Sequence, residues 1–425
     1  MASVNSVNVD GKQNNSEIII IGAGIVGIAA AAVLSEAGHS VLVVDRTGIC
    51  EETSSGNAAA LAFSEVLPLA SKGVMKKVPG WLMDPLGPFA IRPSYLLKLL
   101  PWLYRFWRAS SPSALRNSTV VQGQMMQLAE REMLALAERA GVTDMIHHEG
   151  NLELYESEAE LQAAMPGWEA KKQAGIDYSV VRGAELAALQ PGLSPRFVVG
   201  CFVPKWKNVS DPKLYGKALW AYAEKLGSRY RQGVVTKIAH MQGGAEVTLA
   251  DGSKLQCKKL IVAAGAWSHH LSAQLGDAVP LETERGYNTT LPVGAYDIRR
   301  QLTFPGHAFV ITPLTTGVRV GGAVELGGLT LPPNYARSEA MLKKAKQFLP
   351  QMNIEGGRQW MGYRPSTPDT LPVIGYSSAS KDIVYAFGHG HLGLTQSAAT
   401  ARLVTQLLNH ETTALPVSAF SPKRF

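Results

Sequence analysis

Two stretches of this 425-residue chain hold residues whose types and spacing can do chemistry. The first is Gly22-Ala23-Gly24-Ile25-Val26-Gly27, a GxGxxG spacing, with Asp45 lying 23 residues after Gly22. Glycines so spaced let a turn close tightly (Gly22), let a pyrophosphate approach the backbone (Gly24), and let a helix pack closely on a strand (Gly27). Asp45 can accept hydrogen bonds from a ribose, and its charge would repel a 2′-phosphate, which argues against NADP. The second stretch is Gly362-Tyr363-Arg364-Pro365 followed by Gly388-His389-Gly390-His391-Leu392-Gly393. A guanidinium fork binds a carboxylate through two parallel hydrogen bonds, and Pro365 keeps Arg364 extended. A lone arginine is otherwise a structural or surface residue. His147-His148 and His269-His270 lack metal-ligand spacing, so no metal is assigned.

These groups need elements to position them. Ile18 to Ile21 is β-branched and apolar throughout, as suits a strand buried on both faces. Ala29 to Leu34 reads as a helix closed by Gly38, and Ser40 to Val44 as a second strand ending on Asp45. Strand, glycine turn, helix and strand make a βαβ unit whose helix N-terminus offers N–H groups and partial positive charge to phosphates. Near the C-terminus, strand Ile383–Ala386, the glycine turn and a helix from Leu394 to Leu408 provide a second such helix start. Two helix starts can hold one cofactor at two points. The second would stabilise charge on the N1–C2=O edge of a reduced flavin, by about 1–2 kcal/mol. The βαβ unit alone does not separate FAD from NAD; this second terminus favours FAD.

Length suggests two domains interleaved in sequence. With 46% hydrophobic and 18% charged residues the chain can bury a large core. A net charge of +7 without a run of basic residues argues against nucleic acid. Cys50, Cys201 and Cys257 form no framework and are expected as free thiols. Residues 1–16 read as a loose polar tail without a signal peptide, and no apolar run is long enough to span a bilayer. The expected location is therefore cytoplasmic.

Between the two stretches, Arg46 to Ala62 is a polar, small-residue segment containing Glu51 to Ala58; on local sequence it reads as a solvated loop, with phosphate or ribityl binding as the alternative. Residues 94–108 pattern as an amphipathic helix disturbed at Pro101. Leu96, Leu99, Leu100, Leu103, Phe106 and Trp107 share one face, and Lys98, Arg105 and Arg108 lie opposite. That face can pack within its own domain or lie in a membrane interface, which would make the protein peripheral on the cytoplasmic face of the inner membrane. A helix is expected over Gly123–Ala140 and another from Asp211-Pro212. Pro, Gly and Trp break up the chain between about 156 and 210, and a hairpin falls at Thr315-Thr316-Gly317.

Taken together, Gly22–Gly27 with Asp45, Thr53–Ala59, Val234-Val235, Ile261–Ser268, Gly286-Tyr287, Gly362–Asp369 and Gly388–Leu394 resemble the D-amino-acid oxidase/glycine oxidase superfamily, in its D-amino-acid dehydrogenase branch. The resemblance implies an α/β fold: an FAD-binding Rossmann-like domain of the glutathione-reductase type, interleaved with an α+β substrate domain on a mixed or antiparallel sheet. The implied boundaries are 17–85, 205–275 and 358–425 for the first, and 86–204 and 276–357 for the second. Non-covalent FAD would be held by Gly22, Gly24, Ile25, Val26, Gly27, Asp45, Arg46, Ser54, Ser55, Asn57 and Ala58. Val235, Ala264, Gly265, Trp267, Gly390, His391, Gly393, Leu394 and Thr395 complete the implied set.

Arg364 would pair with the substrate carboxylate, Tyr287 would contact substrate, and His307 and His389 would lie near the pocket. The implied reaction is oxidative deamination of a D-amino acid by hydride transfer from Cα to flavin N5, with electrons passing to a quinone or other carrier. Trp206–Pro212 and Phe304–Thr312 look most like enzymes for D-proline or hydroxy-D-proline substrates. Alternatives are an oxidase using O₂ on glycine, sarcosine or a D-amino acid, and a flavin-containing subunit with a structural cofactor.

Overall fold

The computed structural model describes residues 15–68, 83, 86–87 and 89–425. Most of the tail expected over 1–16 therefore lies outside the described residues, although strand Asn15–Ile21 takes in its last two residues.

An eight-stranded sheet carries the first motif. Asn15–Ile21 is central, with Val41–Asp45 on one side and Lys254–Val262 on the other, all parallel. Arg229–Gln232 continues beside Val41–Asp45, and Ile383–Phe387 beside Lys254–Val262, also in parallel. Antiparallel strands Gly244–Leu249 and Val235–Met241 extend from Lys254–Val262, and Val373–Tyr376 pairs with Ile383–Phe387. Because the chain crosses to opposite sides of Asn15–Ile21, a crevice opens at the carboxyl end of that strand. Helix Ile25–Glu36 packs between this sheet and helices Gly393–Leu408 and Pro212–Lys225. Its run Ala29-Ala30-Ala31-Ala32 is fully buried, and small side chains there let Gly393–Leu408 approach closely.

The second sheet has nine strands. Its path runs Arg358–Ser366, Glu282–Leu291, Gly317–Leu326, Phe309–Leu314, Gln301–Phe304, Asn151–Tyr155, Val199–Val203, Ser179–Arg182, with Phe89–Ile91 beside Gly317–Leu326. Most pairs are antiparallel; Gln301–Phe304 with Asn151–Tyr155 and Phe89–Ile91 with Gly317–Leu326 are parallel. Helix Ala336–Phe348 covers one face through Met341, Ala345 and Phe348. Arg358–Ser366 hydrogen-bonds along the whole of Glu282–Thr290, so this strand belongs to the second sheet and not to the cofactor-binding segment expected from residue 358. A small sheet of Ala60–Leu61, Lys207–Val209 and Ile146–His147 completes the strands.

Several local expectations change. The helix expected to start at Gly123 starts at Pro112, where Ser111 caps it by accepting from Ala114 N–H; it ends at Gly141 in the left-handed region, φ +68°. Residues 158–173 form a helix through Pro166, in a stretch expected to be broken up. Ser157 caps that helix, and Leu161 and Trp168 anchor it. The helix at Pro101 is continuous from Leu96 to Ala109. Pro101 is exposed, so the backbone acceptor it leaves free lies on the solvent side. The buried face of that helix is Leu99, Trp102, Leu103 and Phe106, whereas Leu100 and Trp107, expected inside, point outward. Trp102 decides the rotation: it stacks on Phe106 and donates its indole N–H to Ser366 O at 3.3 Å.

Candidate active site

The crevice opens into a cavity of about 710 Å³ between the two large sheets. Gly22, Gly24, Ile25, Val26, Asp45 and Arg46 line one end, and Ala264, Gly265, Trp267 and Val235 an adjoining wall. Ser54, Asn57 and Ala58 also line it, as do Arg364, His389, Gly390, His391, Gly393 and Leu394. The two stretches, more than 300 residues apart in sequence, are thus brought to one cavity.

Gly22 is obligatory where it stands. Its φ is +111°, and a Cβ there would lie 2.3 Å from the Ala263 carbonyl oxygen. Helix Ile25–Glu36 has no acidic residue in its first turn, and neither does Gly393–Leu408, so both present uncompensated positive ends. Asp45 Oδ2 accepts from Ala23 N–H at 2.8 Å, while Oδ1 accepts from the N–H groups of Thr47 and Gly48. The carboxylate therefore fastens both turns and keeps lone pairs for a ligand hydroxyl. Arg46 donates to Glu52 at 2.8 Å and lies over the Trp267 ring, 3.5 Å from its centroid.

The segment from Thr53 to Ala58 is not a free loop. Ser54 Oγ accepts from Ile25 N–H at 2.9 Å, at the start of the first helix. Thr53 Oγ1 donates to Tyr363 O, and Asn288 Nδ2 donates to Gly56 O at 2.7 Å. Arg319, nearly buried, donates to Asn57 O at 2.6 Å and to Ser55 O at 3.4 Å. Burial pulls its guanidinium down to about 10, so it stays charged at neutral pH. Asn288 and Arg319 were missed from the sequence because each is a lone polar residue on a strand that looked wholly structural.

Three predicted cofactor residues support the cavity without lining it. Gly27 packs on Gly22 O, Ser55 Oγ donates to Glu52 O, and Thr395 Oγ1 accepts from Ala62 N–H at 3.0 Å.

Arg364 sits on the cavity wall with Nη1 donating to Ala323 O at 3.0 Å. Gly286 makes room for it: a Cβ at that position would fall 2.3 Å from Nη2. Across the strand pair Glu284 faces Arg364, and its Oε2 lies 2.9 Å from His391 Nε2. Burial pushes the Glu284 carboxyl up, but His391 and Arg364 more than offset this and hold it below the usual carboxylate range. Burial pulls the Arg364 guanidinium below its ordinary value, with Glu284 opposing. Glu284 was also missed from the sequence, since the cross-strand register that sets it against Arg364 exists only in the sheet.

Two of the expected site residues have their polar atoms held by the protein itself. Tyr287 lies on the cavity wall, but its hydroxyl is already engaged within the protein: it donates to buried Glu325 at 2.7 Å and accepts from Asn334 N–H. His307 does not line the cavity: Nε2 lies 2.7 Å from Glu156 and the ring packs on Phe348. His389 is buried at the cavity edge with Nε2 2.9 Å from Thr400 Oγ1, and burial lowers its imidazole to about 3.

The cavity fits a dinucleotide carrying a flat ring: a helix start without acidic residues and Asp45 at one end, a second such helix start at the other, and apolar walls between. Fold and site together define a flavin-dependent oxidoreductase. Residues 17–407 match the DAO family of FAD-dependent oxidoreductases, and the chain belongs to that family. Among similar proteins, a D-amino-acid oxidase of Bradyrhizobium diazoefficiens is 36% identical over 418 residues, covering 96% of this chain and 98% of that protein. A D-amino acid dehydrogenase of Rhizobium johnstonii is 31% identical over 402 residues, covering 92% and 95%. The crystal structure of glycine oxidase from Geobacillus kaustophilus superposes with a TM-score of 0.72 at 20% identity, covering 97% of this chain and all of that one, which speaks to the fold.

Proposed function

We propose that the protein oxidatively deaminates a D-amino acid, with Arg364 gripping the substrate carboxylate. The observation that carries this reading is a half-buried guanidinium on the cavity wall, beside the glycine turn that starts the second helix. The names of the two curated relatives support the D-amino-acid class. FAD, held by the residues lining the cavity, supplies the two-electron acceptor that takes hydride from Cα. The chain's own part is to orient and desolvate: Arg364 sets the carboxylate, and the walls exclude water. The imine product then hydrolyses to a 2-oxo acid, or stays cyclic where the substrate is a proline.

Next to Arg364 and His391 a recess of about 190 Å³ is lined by Phe89, Ala308, Gly322, Ala323 and Val324. Its apolar lining suits a small aliphatic or pyrrolidine side chain, which supports the D-proline or hydroxy-D-proline type. Electrons pass to a quinone or another carrier. The outer face of helix Leu96–Ala109 supports a peripheral membrane contact for that step: Leu97, Leu100, Tyr104 and Trp107 are exposed at helical spacing, with Lys98, Arg105 and Arg108 among them. No helix among the described residues is long and apolar enough to cross a membrane.

The test is anaerobic bleaching of the flavin by a panel of D- and L-amino acids that includes both proline enantiomers. Bleaching by D-amino acids alone is expected; bleaching by none rejects the reading. Reoxidation by a soluble quinone, but only slowly by air, is expected for a dehydrogenase, and fast reaction with air makes it an oxidase. Co-sedimentation with anionic vesicles, lost in the Leu97→Ser/Trp107→Ser variant, checks the membrane contact.

A further inference from the structure

Two alanines with left-handed backbone, Ala323 at φ +59° and Ala308 at φ +50°, meet beside Arg364. Residues with a side chain avoid that region, and such outliers persist where the surrounding structure holds them. Ala323 N–H donates to Ala308 O at 3.3 Å, and both residues line the apolar recess that Arg364 also lines. Strand register explains Ala323. On Gly317–Leu326, Glu325 faces Arg285 and Gly322 faces Tyr287 of the neighbouring strand. Ala323 and Val324 therefore stand together opposite Gly286 alone, which is a β-bulge. A bulge takes its extra residue out of the ladder, and a left-handed bulge residue is ordinarily glycine. The carbonyl of this bulge residue is the one that holds Arg364 Nη1, at 3.0 Å. Arg364 stands two strands away, on Arg358–Ser366, with Glu282–Leu291 between. That is a separation of about 10 Å between backbones. The side chain spans it because Gly286 lies underneath: a Cβ there would fall 2.3 Å from Nη2, 2.5 Å from Cζ and 2.9 Å from Nε.

We propose that the bulge at Ala323 is the positioning device of the substrate site, aiming Arg364 through its carbonyl and setting the recess against that guanidinium; this rests on the function proposed above. One piece of backbone then fixes two things at once: where the substrate carboxylate is gripped and where its side chain lies. The recess is built for this from small residues. Gly322 precedes the bulge, and a Cβ on it would lie 2.5 Å from Ala308 O, so the two left-handed alanines and this glycine lock together. The strain at Ala323 and Ala308 is what keeps the chain out of a regular ladder at this point, where a regular ladder would commit the carbonyl to a neighbouring strand. The bulge thereby makes Ala323 a specificity-determining residue for a small apolar side chain, although it carries no polar side chain of its own.

The experiment compares flavin-loaded wild type with three variants. Deleting Ala323 restores one-to-one pairing opposite Gly286 while leaving the register on either side intact. Ala323→Val puts a β-branched residue where left-handed backbone is strongly disfavoured, and Ala323→Gly keeps that backbone without a side chain. The probes are acetate, which needs only the guanidinium, and cyclopentanecarboxylate, which also needs the recess; each dissociation constant is read from the flavin spectrum. Acetate affinity should fall about tenfold or more in the deletion and in Ala323→Val, from loss of one orienting bond to a charged group, and stay within about threefold in Ala323→Gly. Cyclopentanecarboxylate should bind wild type more tightly than acetate, and that ratio should collapse toward one in the deletion and in Ala323→Val. Acetate affinity and ratio both unchanged in those two variants overturn the proposal. So does an equal fall in Ala323→Gly and Ala323→Val, which would trace the effect to lost packing and not to the bulge. Should the deletion lose its flavin, the contrast between Ala323→Gly and Ala323→Val decides alone. A wild-type spectrum that acetate leaves unperturbed removes Arg364 as the grip and the proposal with it. If acetate binds wild type as expected and no D-amino acid bleaches it, the function fails while the aiming of Arg364 stands.

Discussion

Replacing Arg364 by lysine and by methionine separates a fork from a point charge. In the structure Nη1 is held by Ala323 O, and Arg364 lines the cavity. A carboxylate there can accept two parallel charge-assisted bonds. Lysine keeps the charge but supplies one bond in place of two, a loss of about 1.5–3 kcal/mol, or roughly 10- to 150-fold in kcat/KM. Methionine removes both bonds and the charge, a loss of about 3–6 kcal/mol, or roughly 10²- to 10⁴-fold. Because the grip is made in the ground state as well as during reaction, the lysine variant should lose mainly in KM. The methionine variant should also lose in kcat, since an untethered substrate no longer presents Cα in one orientation. Removing Arg364 leaves Glu284 with His391 as its remaining counter-charge, so the methionine variant should protonate Glu284 more readily. Stopped-flow anaerobic bleaching against substrate concentration gives both constants, and the flavin absorbance ratio checks that cofactor is retained. Bleaching of the flavin-loaded methionine variant within threefold of wild type at every concentration would refute the assignment.

Arg319→Met should weaken FAD binding by about 10- to 150-fold, from the loss of roughly 1.5–3 kcal/mol of charge-assisted bonding that fixes the carbonyls of Ser55 and Asn57; titration of apoprotein by flavin fluorescence measures it, and an unchanged constant removes the role. Gly22→Ala should yield protein without bound flavin, because its Cβ would strike the Ala263 carbonyl at φ +111°; a yellow, active G22A protein would contradict this. His389 is lowered from 6.5 to about 3 in the fold, so the unfolded chain binds the extra proton between those values, and stability is full above 6.5 and lost as pH falls toward 3. The slope is about 1.4 kcal/mol per pH unit, and urea midpoints of His389→Gln between pH 6.5 and 4.5 should be flatter by that amount; equal slopes would show that this imidazole is not the source.

The cofactor half of the site was legible because its signals are local. Gly22, Gly24 and Gly27 act within one turn, and Asp45 stands at the end of the next strand, so a linear reading captures them together with their elements. Pro365 after Arg364 and the glycines before Leu394 are local signals of the same kind. Periodicity did less well where one side chain sets the orientation of a helix. In Leu96–Ala109 the spacing admits two neighbouring faces, and Trp102, bonded to a strand more than 250 residues away, selects one. Ser111-Pro112 and Ser157 were readable helix starts, outweighed by Gly123 and by Pro166-Gly167.

By itself the amino-acid order determined the βαβ unit, the two glycine-lined helix starts and the extended arginine, because each depends on backbone conformations that a few adjacent residues impose. Tertiary structure alone decided which polar groups face one another. Glu284 meets Arg364 and His391 through strand register, Arg319 and Asn288 reach the Thr53–Ala58 segment from the second sheet, and Tyr287 turns to Glu325. Such pairings join residues tens to hundreds of positions apart, and a buried charge takes its meaning from whatever the fold sets against it.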